Sequence, residues 1–197
     1  MSPNILIFMA VGAVAIFWAV GAYNRLIRLK NVIANSFGQI DVQLKRRYDL
    51  IPNLVEVAKK YLQHERDTLE AVMIARNRAR VASDAVRSRP ANATAVTALA
   101  TAEQALDGSL GRLFAVAEAY PELKADETIR GLSEELTSTE NKVTFARQAY
   151  NDAVLDYNNA QGQFPALLIA RLFGLVPSAM LQATESAIER QAVRIQM

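Results

Sequence analysis

A chain of 197 residues, 51% hydrophobic and 21% charged, is long enough for one domain. Folding at this size takes roughly 70% of the unfolded chain's surface out of water, so a sizeable core is available. With 22 Lys+Arg against 20 Asp+Glu, the net charge of +2 gives no basic excess of the kind a nucleic-acid binder carries. The absence of cysteine excludes a disulfide framework, a thiolate metal site and a cysteine nucleophile.

From Met1 to Asn24 no side chain is charged, and residues 5–22 are an unbroken apolar run. A bilayer core needs roughly 20 helical residues to cross it, which this stretch supplies. Ile5, Phe8 and Phe17 are expected in the span, with Trp18 and Tyr23 at the interface, where amphipathic rings settle. A cleaved signal peptide, cut after the small residues Val20 and Ala22, fits less well. Such a peptide carries its basic residues before the apolar stretch, whereas Arg25, Arg28 and Lys30 follow it. By the positive-inside rule that flank stays in the cytoplasm. The expected localisation is thus a single-pass protein of the bacterial inner membrane with its soluble domain in the cytoplasm.

Leu26, Leu29, Ile33, Phe37, Ile40, Leu44, Tyr48 and Ile51 recur every three or four residues, the stripe of an amphipathic helix. Nothing between Ala22 and Leu26 breaks a helix, so the span is expected to run into this stripe as one rod. Pro52 either kinks the rod or marks a break restarted by Asp49 or Asn53, with Asp41, Gln43, Asp49 and Asn53 satisfying freed backbone groups. The stripe continues through Leu54, Ala58, Leu62, Leu69, Val72 and Ala79 to a break at Ser88-Arg89-Pro90-Ala91-Asn92. Val96, Leu99, Leu106, Leu110, Leu113, Ala117 and Tyr120 form the next helix, closed by Pro121. Leu132, Leu136, Val143, Ala146, Tyr150, Val154 and Tyr157 form another, and Phe164-Pro165 suggests a corner. Pro177 is placed to open a last helix with Met180, Leu181, Thr184, Ile188, Ala192 and Ile195 on one face. No window alternates with period two, so no sheet is expected. The fold class is all-α: an antiparallel up-and-down bundle of long helices with a transmembrane helix at its start. Residues 1–24 are the expected anchor, 25–175 the bundle, and 176–197 an amphipathic helix or tail.

Lys45, Arg46 and Arg47 stand about 30 Å along the rod from Arg25, several Debye lengths from lipid. Gripping anionic headgroups is therefore excluded unless the chain bends back. The plain alternative is a solvated or salt-bridged face; the functional one is a partner-docking patch formed with Asp49. Chemistry of the catalytic kind is missing. His64 is the one histidine, and Thr68 stands where a zincin motif needs a second. Neither G-x-S-x-G nor a phosphate-binding glycine loop occurs. The tyrosines lie on or near apolar stripes, where core packing accounts for them. No cofactor, metal, nucleic acid or small-molecule substrate is expected.

Four blocks carry a resemblance. The first is Tyr23-Asn24-Arg25-Leu26 after the apolar span, followed by residues 39–55, Gln39-Ile40-Asp41-Val42-Gln43-Leu44-Lys45-Arg46-Arg47-Tyr48-Asp49-Leu50-Ile51-Pro52-Asn53-Leu54-Val55. The second is Ala119-Tyr120-Pro121-Glu122-Leu123-Lys124-Ala125. The third runs from Glu140-Asn141-Lys142-Val143 through Phe145-Ala146-Arg147 and Tyr150-Asn151-Asp152-Ala153-Val154 to Tyr157-Asn158. The fourth is Phe164-Pro165 with Ala170 and Phe173-Gly174. Up to about residue 175 the chain resembles the LemA family, and beyond it the amphipathic tail departs from the family's pattern. The resemblance implies a membrane-anchored helical bundle without enzymatic activity, associated in relatives with a membrane metalloprotease or with magnetosome membranes.

Two functions compete on this reading. One is a non-enzymatic scaffold or adaptor that binds other membrane proteins through its bundle. The other is a self-assembling structural protein, a homo-oligomer that organises or remodels the lipid bilayer. The second draws on residues 164–183, with one charge, where Phe164, Leu168, Leu172 and Phe173 are candidate interfacial residues. The plain alternative is that residues 164–183 and the amphipathic tail cap the bundle core.

Overall fold

The computed structural model describes residues 3–181. Regular structure among them is entirely helical: α1 (Pro3–Ala58), α2 (Arg66–Ser88), α3 (Ala93–Ala117), α4 (Pro121–Ala125), α5 (Glu127–Gly162) and α6 (Ala166–Leu172). The expected continuity of span and stripe holds, because α1 is one helix of 56 residues. That is about 84 Å of rod at 1.5 Å per residue. Its early turns are exposed on all sides, and this part of α1 is long and apolar enough to cross a membrane. From Leu26 onward one stripe is buried: Ile33, Phe37, Ile40, Leu44, Tyr48 and Ile51. Each such side chain removed from water contributes about 1.5–3 kcal/mol.

Cross-contacts fix the direction of the helices. On α5, Glu135 meets Arg46, Tyr150 meets Phe37, and Ala160 clusters with Leu26, so α5 runs antiparallel to α1. On α2, Arg76 meets Tyr48 and Arg87 meets Asp41, which makes α2 antiparallel to α1 as well. With α3 packed on α2, the topology is up-down-up-down, as the stripes predict. The α2–α3 corner reaches only the level of Tyr150, whose hydroxyl donates to Pro90 O at 3.0 Å. Nearer the span the helices of the bundle are α1, α5 and α6.

Two helix starts follow local rules. Asn92 caps α3 by accepting from Ala95 N at 2.9 Å. Asp126 caps α5, accepting from Thr128 N at 2.8 Å and Ile129 N at 3.1 Å. Tyr61, in the α1–α2 connection, donates to the same carboxylate at 2.9 Å. These backbone and hydroxyl donors hold the Asp126 carboxyl below its usual range.

Two expectations are corrected. The stripe through Ala58, Leu62 and Leu69 is not one helix. The chain turns over residues 59–65, where Leu62 N donates to Ala58 O at 2.9 Å and the Leu62 side chain is buried. No proline or glycine marks that turn. The helix that Pro177 was expected to open does not form over residues 175–181, which lie along α5 without regular structure. Thr184, Ile188, Ala192 and Ile195 lie outside the described residues.

Pro52 sits inside α1 without ending it, and Asp49 and Asn53 are exposed rather than capping a restart. Proline lacks the N–H that would bond the carbonyl four residues back, which is Tyr48 O. The donor comes from outside the helix: Arg76 Nε of α2, buried, donates to Tyr48 O at 2.8 Å. Replacing Arg76 by Met leaves that carbonyl buried and unpaired, an expected cost of about 1–3 kcal/mol. Pro52→Ala restores the internal donor, so the Arg76→Met penalty should shrink by about 1 kcal/mol or more in that background. Denaturant melts of the four full-length proteins in detergent micelles check this; equal penalties in both backgrounds refute the pairing.

Candidate functional site

The basic triplet of α1 is dispersed by helix geometry, since successive side chains point about 100° apart. Lys45 turns back to Asp41 at 2.9 Å. Arg46 reaches α5, where its Nε donates to Glu135 at 2.8 Å. Arg47 points into the bundle and is buried, with Nη1 donating to Glu103 at 2.9 Å and Nη2 to Asp107, both on α3. Tyr48 completes the set by donating its hydroxyl to the other Glu103 oxygen at 2.5 Å. The expected docking patch is therefore corrected at Arg47, which is withdrawn into the core. Asp49 remains exposed, 3.8 Å from Arg76 Nη2. His64 is exposed as well.

Glu103 is a buried carboxylate that spacing alone does not distinguish from a surface one. Burial pushes its carboxyl up, partly opposed by the Arg47 guanidinium and the Tyr48 hydroxyl. Its neighbour Asp107 lies at the rim of a groove of about 410 Å³ between α3 and α5.

A larger open groove, about 820 Å³, runs between α1 and α5. Gln39 and Gln43 line one side, and Glu134, Asn141, Lys142 and Phe145 the other. Phe145, inside the third motif block, is 79% exposed. Gln43 Oε1 is buried there and has no hydrogen-bond partner among the described residues.

The third feature lies on the half of α5 nearest the span. Asn158 grips Ser178 by both backbone groups, donating to Ser178 O and accepting from Ser178 N, each at 2.9 Å. Asn151 does the same to Leu181 at 3.0 and 2.9 Å. Gln161 donates to Leu175 O at 2.7 Å and Tyr157 to Val176 O at 3.1 Å, while the Tyr150 hydroxyl that faces Pro90 O also lies 3.2 Å from Ala179 O. Residues 175–181 are thus a strap held through its backbone. The Tyr-Asn pairs that carry the third motif block, Tyr150-Asn151 and Tyr157-Asn158, are its holders.

At the span end, α6 folds back on α1. Ile169 and Ala170 are buried, and the rings of Tyr23 and Phe173 lie 4.6 Å apart. Phe164, Leu168, Leu172 and Phe173 are all exposed, whereas Ile169, Ala170 and Leu181 of the same stretch are buried, so the stretch caps the core in part, but not through these four. Ile5, Phe8, Phe17 and Trp18 are exposed on the apolar part of α1, and Tyr23 is half-buried against Phe173.

Removal of one partner from the Arg47–Glu103 pair should be costly, because it strands the other charge in the core. Arg47→Met is expected to cost about 3–5 kcal/mol. Joining it to Glu103→Leu should recover most of that loss in chemical melts of the full-length protein. For the strap, Asn158→Ala should speed exchange of the Ser178 amide roughly tenfold or more, the equivalent of about 1.4 kcal/mol of protection. Hydrogen-exchange mass spectrometry reads this, with α5 amides unchanged as control.

Residues 36–197 match the LemA family model. The match runs to residue 197, so the tail lies within the family pattern rather than outside it. Among curated proteins, Protein LemA of Metamycoplasma hominis is 27% identical over 186 residues, covering 94% of this chain and 80% of that one. The chain belongs to the LemA family.

Proposed function

We propose, from membership of the LemA family, a membrane-anchored and non-enzymatic adaptor that docks other membrane proteins through the groove between α1 and α5. In this reading α1 crosses the bilayer and holds the bundle at fixed height. The observation that carries it is the groove itself, open between α1 and α5 with Phe145 left 79% exposed on its wall. An exposed aromatic on the wall of an open groove supplies the apolar anchor of an interface hot spot. Gln39 stands about 21 Å along α1 from Arg25, so the partner presents a segment at that height above the membrane. Arg46, Arg47 and Lys45 are engaged within the bundle and contribute less to the surface than their run of charge suggests. Arg25, Arg28 and Lys30 flanking the span support a cytoplasmic side for the bundle.

The test places benzoylphenylalanine at Phe145 in the full-length protein and irradiates intact membranes, with the same probe at exposed Val81 of α2 as control. One membrane protein captured from position 145 and absent from 81 is the expected result. Adducts containing copies of this chain alone make the homo-oligomeric, membrane-organising reading the correct one. Equal capture from both positions removes the groove from consideration.

A further inference from the structure

We propose that residues 164–173, the corner and α6, form a second membrane contact: an apolar foot seated at the headgroup–acyl boundary of the leaflet from which α1 emerges. This rests on α1 spanning the bilayer, and the argument begins with height. Phe164 and Pro165 line a cleft together with Trp18, Gly21 and Ala22 of α1. Trp18 precedes Arg25 by about 10 Å of helix. With Arg25 at the membrane surface, a corner at the level of Trp18 lies below that surface. The bundle cannot stand clear of lipid while this packing exists.

The chemistry of the corner matches that depth. Phe164 is 81% exposed and Leu172 76% exposed, with Leu168, Phe173 and Val176 also open. The side of α6 turned to the protein holds Ile169 and Ala170, so its apolar character is not consumed by the core. A contiguous apolar face left open on a soluble domain marks a contact surface. Here it is continuous with the exposed apolar surface of α1.

Charge points the same way. No Asp or Glu occurs in residues 1–40 or in residues 157–184. The same segments carry Arg25, Arg28, Lys30 and Arg171, all exposed. The end of the molecule nearest the span is thus apolar with a cationic rim, the composition that binds an anionic lipid surface. A second copy of this chain would bring the same cations to the contact, which disfavours it as occupant.

The chain lacks cysteine, so single-cysteine variants label cleanly. Full-length Phe8→Cys, Leu168→Cys, Leu172→Cys and Val81→Cys, each carrying an NBD fluorophore, are reconstituted in phosphatidylcholine–phosphatidylglycerol vesicles. Brominated lipids then report contact with acyl chains. Expected are blue-shifted emission and loss of most fluorescence at 8, 168 and 172, with none at 81. Quenching at 8 but not at 168 and 172 overturns the foot while leaving the span intact. Blue-shifted but unquenched emission at 168 and 172 places protein over the face and also overturns the proposal. Loss at none of the four positions refutes the span itself.

Discussion

Because the peptide ladder of α1 passes from Pro3 to Ala58 without a turn, each residue number along it is also a height along one axis. A flexible linker after the apolar segment would have uncoupled the bundle from it. A continuous helix transmits position and azimuth instead. The buried stripe beginning at Leu26 fixes which side of the rod faces α5 and α2, and therefore which side the open groove faces. The weak point of such a rod is Pro52, where the ladder loses a donor. Arg76 supplies that donor from α2, so the repair of α1 and the docking of α2 are one interaction.

Apolar stripes with a three-to-four spacing pack in more than one register, since sliding a helix by a turn keeps apolar against apolar. The Arg47–Glu103 pair with Tyr48 does not tolerate that slip. Displacement by one turn leaves two charges in the core without partners, at several kcal/mol each. Asp41, bonded to Ser83 and Arg87, opposes the same slip between α1 and α2. Buried polarity in this bundle sets alignment, while Leu, Ile, Val and Phe supply the bulk of the burial energy.

The periodic stripes were legible because helix packing rewards a pattern that is local in sequence. The positions read as core from Ile33 to Ile51 are buried, and so are those from Leu136 to Tyr157. What spacing did not show depends on partners far away in the chain. Arg47 reads as one of three surface cations until α3 places Glu103 beside it, 56 positions later. Arg76 reads as an ordinary helix arginine, and only the missing N–H of Pro52 hints that some donor is required nearby. The turn over residues 59–65 has no breaker residue, because a buried Leu62 and backbone bonds close it. The strap was misread as helix since its identity comes from Asn151 and Asn158 on another element, whose amides match a backbone rather than a side-chain pattern.

Helix lengths explain why a strap is needed. The α2–α3 corner ends at the level of Tyr150, while α5 continues to Gly162 beside Leu26. Over that last stretch α5 presents Ala153, Val154, Tyr157 and Ala160, all buried. Residues 175–181 lie along it, running back up α5 from Gln161 to Asn151. An extended chain leaves its backbone groups unpaired, and the two asparagines, Gln161 and the tyrosine hydroxyls answer them. The Tyr150 hydroxyl lies within hydrogen-bond distance of both Pro90 O and Ala179 O, which marks the seam where cover passes from the α2–α3 corner to the strap. The strap can start at Leu175 only because α6 turns the chain around at the span end of α1. The apolar corner and the polar ladder on α5 are consequently two parts of one closure: the turn sets the corner at the level of Trp18, and the return path completes the core above it.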